Sequence, residues 1–153
     1  MTDVRFYHLT RQSAQQALPD LLEKTLARGW RAVVKLPDEA QVAAMDAHLW
    51  QHRADSFLPH GSVKDGRAEE QPLWLTTLDE NPNEASVLFV IGAEAAPKAD
   101  GFDLVCDVFD GQEDAAVAAA RARWAAYKGQ GHALTYWQQG ERGWQKKDNG
   151  STE

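Results

Sequence analysis

Residues 86–91 read SVLFVI, and residues 31–36 read RAVVKL. Neither run alternates apolar with polar side chains. A strand that is apolar throughout is covered on both faces, as in a parallel sheet lying between layers of helices. The flanking segments agree. Ala14, Leu18, Leu21, Leu22, Thr25 and Leu26 fall at helical spacing within residues 13–28. Pro19 interrupts that segment, so the helix is expected to begin near Leu18, with Pro19 in its first turn. Gly29 stops it. A second helix opens at Pro37-Asp38, where Asp38 and Gln41 have capping-box spacing, and Val42, Met45 and Leu49 line its inward face.

Further strands are expected at residues 3–9 (DVRFYHL), 72–76 (PLWLT), within 102–109, and at 132–139 (HALTYWQQ). In the first, Val4, Phe6 and His8 share one face and Arg5, Tyr7 and Leu9 the other. Residues 57–61 read as a loop, residues 62–71 as a polar connector and residues 79–84 (DENPNE) as an acidic turn. Asp110 and Glu113 have capping-box spacing ahead of an alanine-rich helix over residues 113–128, which Gly129 ends. Residues 140–143 turn the last strand back into 144–147. Strands alternating with helices specify a three-layer α/β domain. Its central sheet is largely parallel and flanked by helices, Rossmann-like but without nucleotide loops, and it ends in a strand or hairpin. Residues 1–147 form one domain on this reading, and residues 148–153 a polar, disordered tail.

At 153 residues the chain suits one domain, which buries about 68–70% of its unfolded surface. It is 43% hydrophobic and 25% charged, an ordinary globular composition. No apolar run approaches the ~18 residues of a membrane span, and the first residues lack the pattern of a signal peptide. Cys106, the single cysteine, leaves no internal disulfide or cysteine-based zinc site. These features point to the cytoplasm.

The net charge of −7 argues against bulk electrostatic binding of nucleic acid. Its distribution is uneven. Residues 118–147 carry Arg121, Arg123, Lys128, Arg142, Lys146 and Lys147 against Glu141. That segment is +5 and the remainder −12, which suits one face to an anionic partner; the alternative is a solvated helix followed by a hairpin.

The chain has no phosphate-binding glycine loop of either common type, and the turn after the first strand (Thr10 to Ser13) has no glycine. Cys106 stands in the run LVCDVF and reads as core. His48 and His52 are four apart but lack a nearby third ligand, and no nucleophile elbow occurs. No catalytic set, cofactor or metal is expected.

Two clusters remain. Arg121, Trp124 and Lys128 line one stripe of the last helix. A tryptophan between two cations suits a short acidic peptide with an aromatic residue and a free carboxylate. The alternative is a core Trp124 packed with Val117, Ala120 and Tyr127. The second cluster, Leu49-Trp50 and then Phe57-Leu58-Pro59-His60, puts aromatics at a helix end and on a loop, where interface anchors often lie; the alternative is packing beneath the loop.

These residues, with Phe6-Tyr7-His8-Leu9, Ser56 to Gly61, Arg121 to Lys128, Leu134 to Gln139 and Gly143 to Lys147, resemble the chi subunits of the bacterial DNA polymerase III holoenzyme. The resemblance implies a non-catalytic accessory protein. It would bind the psi subunit, which ties it to the clamp-loader complex, and the acidic C-terminal tail of the single-stranded-DNA-binding protein. It would be a monomer alone and a heterodimer with psi, with mainly indirect contact to nucleic acid and none to membranes. Carried over by residue, Arg121 pairs with the tail's terminal carboxylate and Trp124 packs against its apolar end. Trp50 would complete that pocket. Ala125 stands where some relatives carry a basic residue, which shifts the burden to Arg123 or Lys128. Phe57, Leu58, Pro59 and His60 match the region used for psi or competing partners. A second reading is direct binding of single-stranded DNA by the basic C-terminal segment, with Tyr136, Trp137 and Trp144 stacking on bases.

Overall fold

The computed structural model describes residues 2–10, 12–51, 60–62, 66–78, 80–92, 101–140 and 143–147. Its elements, in order, are β1 (Asp3–Leu9), α1 (Ala14–Ala27), β2 (Ala32–Lys35), α2 (Glu39–Gln51) and β3 (His60–Ser62). A short 3-10 turn at Ala68–Glu70 precedes β4 (Leu73–Thr76), β5 (Val87–Ile91) and β6 (Leu104–Asp110). Then come α3 (Asp114–Gly129), β7 (Ala133–Gly140) and β8 (Gly143–Lys147).

The eight strands form one sheet in the order β3-β4-β2-β5-β6-β1-β7-β8. Every neighbouring pair is parallel except β7 with β8, which is antiparallel. This is the expected α/β sheet with a C-terminal hairpin.

Alternation along each strand divides the core in two. On one face, Val34, Phe89, Cys106 and Leu9 pack with Leu18 and Leu22 of α1 and Val42, Met45 and Leu49 of α2. On the other, Phe6, Val33, Leu88, Val105 and Phe109 pack with Ala120 and Tyr127 of α3. Strands β2, β4 and β5 are buried at every position, which is why their sequences do not alternate. β1 splits as its sequence predicts, with Val4 and Phe6 toward α3 and Tyr7 and Leu9 toward α1.

Three local expectations need correction. α1 begins at Ala14, not near Leu18, and Pro19 lies inside it. The Ser13 side chain accepts from the Gln16 backbone N–H, and the Gln16 side chain accepts from Ser13 N–H, closing a capping box. With Ala17, Leu18 and Leu22 buried, that cap outweighs the ~3 kcal/mol a proline costs in a helix interior. Asp110 does not cap α3. Its carboxylate accepts from the Gln112 backbone N–H, and the N-cap is Glu113, which makes no side-chain capping bond. Finally, the connector after residue 59 contains β3, a strand of three residues that is too short to leave a periodic signal.

Candidate functional site

In an open parallel sheet, ligands bind where neighbouring strands send their chains to opposite faces. Here those strands are β1, which leads into α1, and β6, which leads into α3. Their carboxyl ends are tied together. Gly111 N–H donates to Leu9 O (2.8 Å), and the Gln112 side chain donates to Thr10 O (2.5 Å). Thr10 in turn donates from its backbone N–H to the Gln139 side chain (3.1 Å) and from its hydroxyl to Gln139 O (2.8 Å). The Gln112 and Gln139 side chains thus bond to the Thr10 backbone at this point, and the sequence of the turn after β1 contains no glycine.

The built surface lies beside this point, along α3. Ala120, Arg123 and Tyr127 face inward, Arg121, Ala125 and Lys128 are exposed, and Trp124 sits half-buried between them. Trp124 packs edge-on against Phe6 (5.1 Å between ring centroids) and Tyr136 (6.1 Å). His8 lies 5.1 Å from Phe109 and 5.8 Å from Tyr136. The result is an aromatic corner built by β1, β6, β7 and α3, with two cations at its rim. Trp124 Nε1–H is buried and has no hydrogen-bond acceptor among the described residues. An unmade bond of this kind costs about 1–3 kcal/mol.

The charges at this corner are shaped by burial. Burial raises the pKa of the Tyr136 phenol, and the positive charge of Arg121 partly opposes this, which puts the two groups within electrostatic reach. Burial lowers the pKa of His8, with the Asp110 carboxylate opposing.

The sequence-derived site residues separate in the structure. Arg121, Trp124 and Lys128 form one continuous edge, as their spacing predicts. Arg123 is not part of it. Its side chain turns inward and binds Asp107 of β6, Nε to Oδ2 at 2.5 Å and Nη2 to Oδ1 at 3.0 Å. Arg123 is 6% exposed and Asp107 0%. Burial pushes the Asp107 pKa up to about 6, against the pull of Arg123. With Ala125 exposed and uncharged, the exposed cations of the stripe are Arg121 and Lys128. The signal for this pairing was an aspartate inside the apolar run LVCDVF, since a buried carboxylate needs a cation.

His60 is not at the surface. It is 8% exposed, and its ring meets Asp46 of α2 at 2.8 Å. Phe57, Leu58 and Pro59 lie outside the described residues. Trp50 stands at the end of α2, and its side chain also lies outside what the structure describes. The three aromatics of the C-terminal segment divide between faces. Tyr136 joins the α3 side, whereas Trp144 packs on Tyr7 (4.9 Å) on the α1 side, the side Trp137 also takes by strand alternation. They do not form one stacking surface. The sequence does not mark Tyr136 as a neighbour of Trp124, or His8 as the partner of Tyr136, because nothing local places β7 beside β1.

Among the described residues, no group of three or more His, Cys, Asp or Glu side chains could hold a metal ion. No described helix is long and apolar enough to cross a membrane.

Comparison with known proteins gives this arrangement a family. Residues 1–135 match the family model described as DNA polymerase III chi subunit, HolC. A relative from Rickettsia prowazekii (strain Madrid E), a probable DNA polymerase III subunit chi, is 32% identical over 91 residues. That match covers 60% of this chain and spans 55% of the relative's length. The DNA polymerase III subunit chi of Pseudomonas aeruginosa is 28% identical over 137 residues, 88% of this chain and 94% of its own. The subunit chi of Escherichia coli (strain K12) is 28% identical over 142 residues, 88% and 96% respectively. The chain therefore belongs to the DNA polymerase III chi subunit family, HolC, whose members are replication accessory subunits rather than catalytic ones.

Proposed function

We propose that this chain is a cytoplasmic adaptor within the polymerase III holoenzyme. It binds the acidic C-terminal tail of single-stranded-DNA-binding protein on the edge of α3 and the psi subunit through the segment after α2. The observation that supports the tail site is the corner at Trp124, a half-buried aromatic with Arg121 and Lys128 exposed along the same stripe. The terminal aromatic residue of the tail packs on Trp124, and its carboxylate pairs with Arg121. Lys128, one turn beyond Trp124, meets the acidic residues. Arg123 acts through the fold, by fixing α3 to the sheet, and makes no contact with the tail. The psi contact rests on family membership and on Phe57, Leu58 and Pro59. His60, turned inward to Asp46, anchors the end of that segment.

Burial of a terminal Phe contributes roughly 1.5–3 kcal/mol. A charge-assisted bond from Arg121 adds about 1.5–3 kcal/mol. Contacts to the acidic residues must exceed the cost of ordering the tail for the total to reach about 8 kcal/mol, the micromolar affinity expected. Calorimetric titration with an acidic peptide ending in Pro-Phe and a free carboxylate tests this. Binding should weaken with salt, with amidation of the peptide, and in Arg121→Ala and Trp124→Ala. An absence of binding by the folded protein at low salt would remove the tail site.

A further inference from the structure

We propose that Tyr136, held in place by His8, is a second hydrogen-bond donor of the α3 site and sets its preference for a free carboxylate over an amide. The inference rests on the tail-binding reading above. It concerns residues contributed by β1 and β7, not by the helix.

In the parallel pairing of β1 with β7, Phe6 stands opposite Tyr136. The Tyr136 ring therefore lies beside Phe6, and Trp124 packs on both. The Tyr136 hydroxyl meets His8 Nδ1 in a hydrogen bond. The His8 ring is confined from behind. A Cβ on Gly111 would lie 1.9 Å from His8 Nε2, so only glycine leaves room for the ring there. This gives Gly111 a role at the site that its position in a turn does not reveal.

The donor logic is specific. A neutral imidazole has one donor and one acceptor nitrogen, and a phenol donates one proton and accepts through its oxygen. In the tautomer assigned here His8 donates from Nδ1 to the Tyr136 oxygen, which leaves the phenol O–H over; the opposite tautomer would consume that proton. The charge that reaches this hydroxyl from α3 is Arg121, a cation with donors only. From β6, the Asp110 carboxylate reaches His8, and its Oδ1 accepts the Gln112 backbone N–H at 2.9 Å. Arg121 and the Tyr136 hydroxyl are thus two donors within electrostatic reach of each other. The group that satisfies both is an acceptor with two oxygens, a carboxylate. A terminal amide offers one oxygen and so satisfies only one of the two donors.

The test is titration of the full-length protein with the acidic Pro-Phe peptide as free acid and as amide, in four variants. Tyr136→Phe removes a single oxygen. It should weaken free-acid binding roughly tenfold, about what one charge-assisted hydrogen bond carries, and leave the amide nearly unchanged. His8→Leu should reproduce part of that loss, and His8→Asn, whose amide nitrogen takes the place of Nδ1, should restore it. Arg121→Ala serves as the reference for the site itself. If the wild type does not bind, or Arg121→Ala binds equally well, the tail reading fails. If those two behave as expected and Tyr136→Phe still discriminates acid from amide like the wild type, the tail reading stands and this inference is overturned. Should His8→Leu fail to fold, the Tyr136→Phe comparison decides alone.

Discussion

Replacing Arg123 by alanine tests the assignment of that residue to the fold. In the native protein its guanidinium makes two bonds to Asp107, at 2.5 and 3.0 Å, and both side chains are almost fully enclosed. Removing one partner of a buried pair leaves the other uncompensated and costs about 3–5 kcal/mol. That is a large share of the roughly 5–15 kcal/mol typical of a domain. The cost depends on pH with a definite sign. The pKa of Asp107 is already pushed up to about 6 by burial, above its ordinary 3.8. Its contribution to stability is present below about pH 4 and is lost as pH rises through 6. Without Arg123, burial acts unopposed and the carboxyl holds its proton to still higher pH. Each unit is worth about 1.4 kcal/mol. The penalty of Arg123→Ala should therefore be largest near pH 8 and shrink by about 3 kcal/mol toward pH 5. Urea unfolding followed by tryptophan fluorescence at pH 5, 6, 7 and 8 measures it. The double variant Asp107→Leu/Arg123→Met should cost less than Arg123→Ala alone at pH 8, because no charge is stranded. A penalty below about 1 kcal/mol at pH 8, or one that grows as pH falls, would refute the reasoning.

Other perturbations probe other parts of the molecule. Gly111→Ala forces a methyl group into His8 and to 2.6 Å from Leu9 O, so a loss of roughly 1–3 kcal/mol is expected in thermal unfolding. Full stability in that variant would contradict the packing of the His8 ring. Cys106 is buried, and its thiol pKa is pushed up to about 12 by desolvation, so at pH 8 it should resist thiol reagents until urea unfolds the chain. Rapid labelling of the native protein would show that β6 opens easily. Asn83→Ala removes donors to Gln71 O (2.7 Å) and Ala32 O (3.2 Å) at a fully buried site. Unfolding should register a loss of about 1–3 kcal/mol, and a change near zero would mean that water replaces the amide.

Much of this protein was determined by its sequence alone. The unalternating runs at residues 32–35 and 87–91 suited strands enclosed on both sides, and the structure makes both of them central. The alternation in residues 3–9 divided Phe6 from Tyr7 correctly, because side-chain direction along a strand is a local property. Helical spacing likewise brought Arg121, Trp124 and Lys128 to one edge. Tertiary structure decided which charges that edge keeps. Arg121 and Arg123 are two residues apart, on nearly opposite sides of α3, and the sequence carried no local mark of which one faced the sheet. That depended on Asp107 lying on the strand beneath. It also decided where α1 begins, since the burial of Leu18 and Leu22 tolerates a proline that local propensity rejects. His8 and Tyr136 are 128 positions apart. They meet because β7 enters the sheet beside β1, a pairing that strand patterns cannot encode because every strand here is compatible with several neighbours.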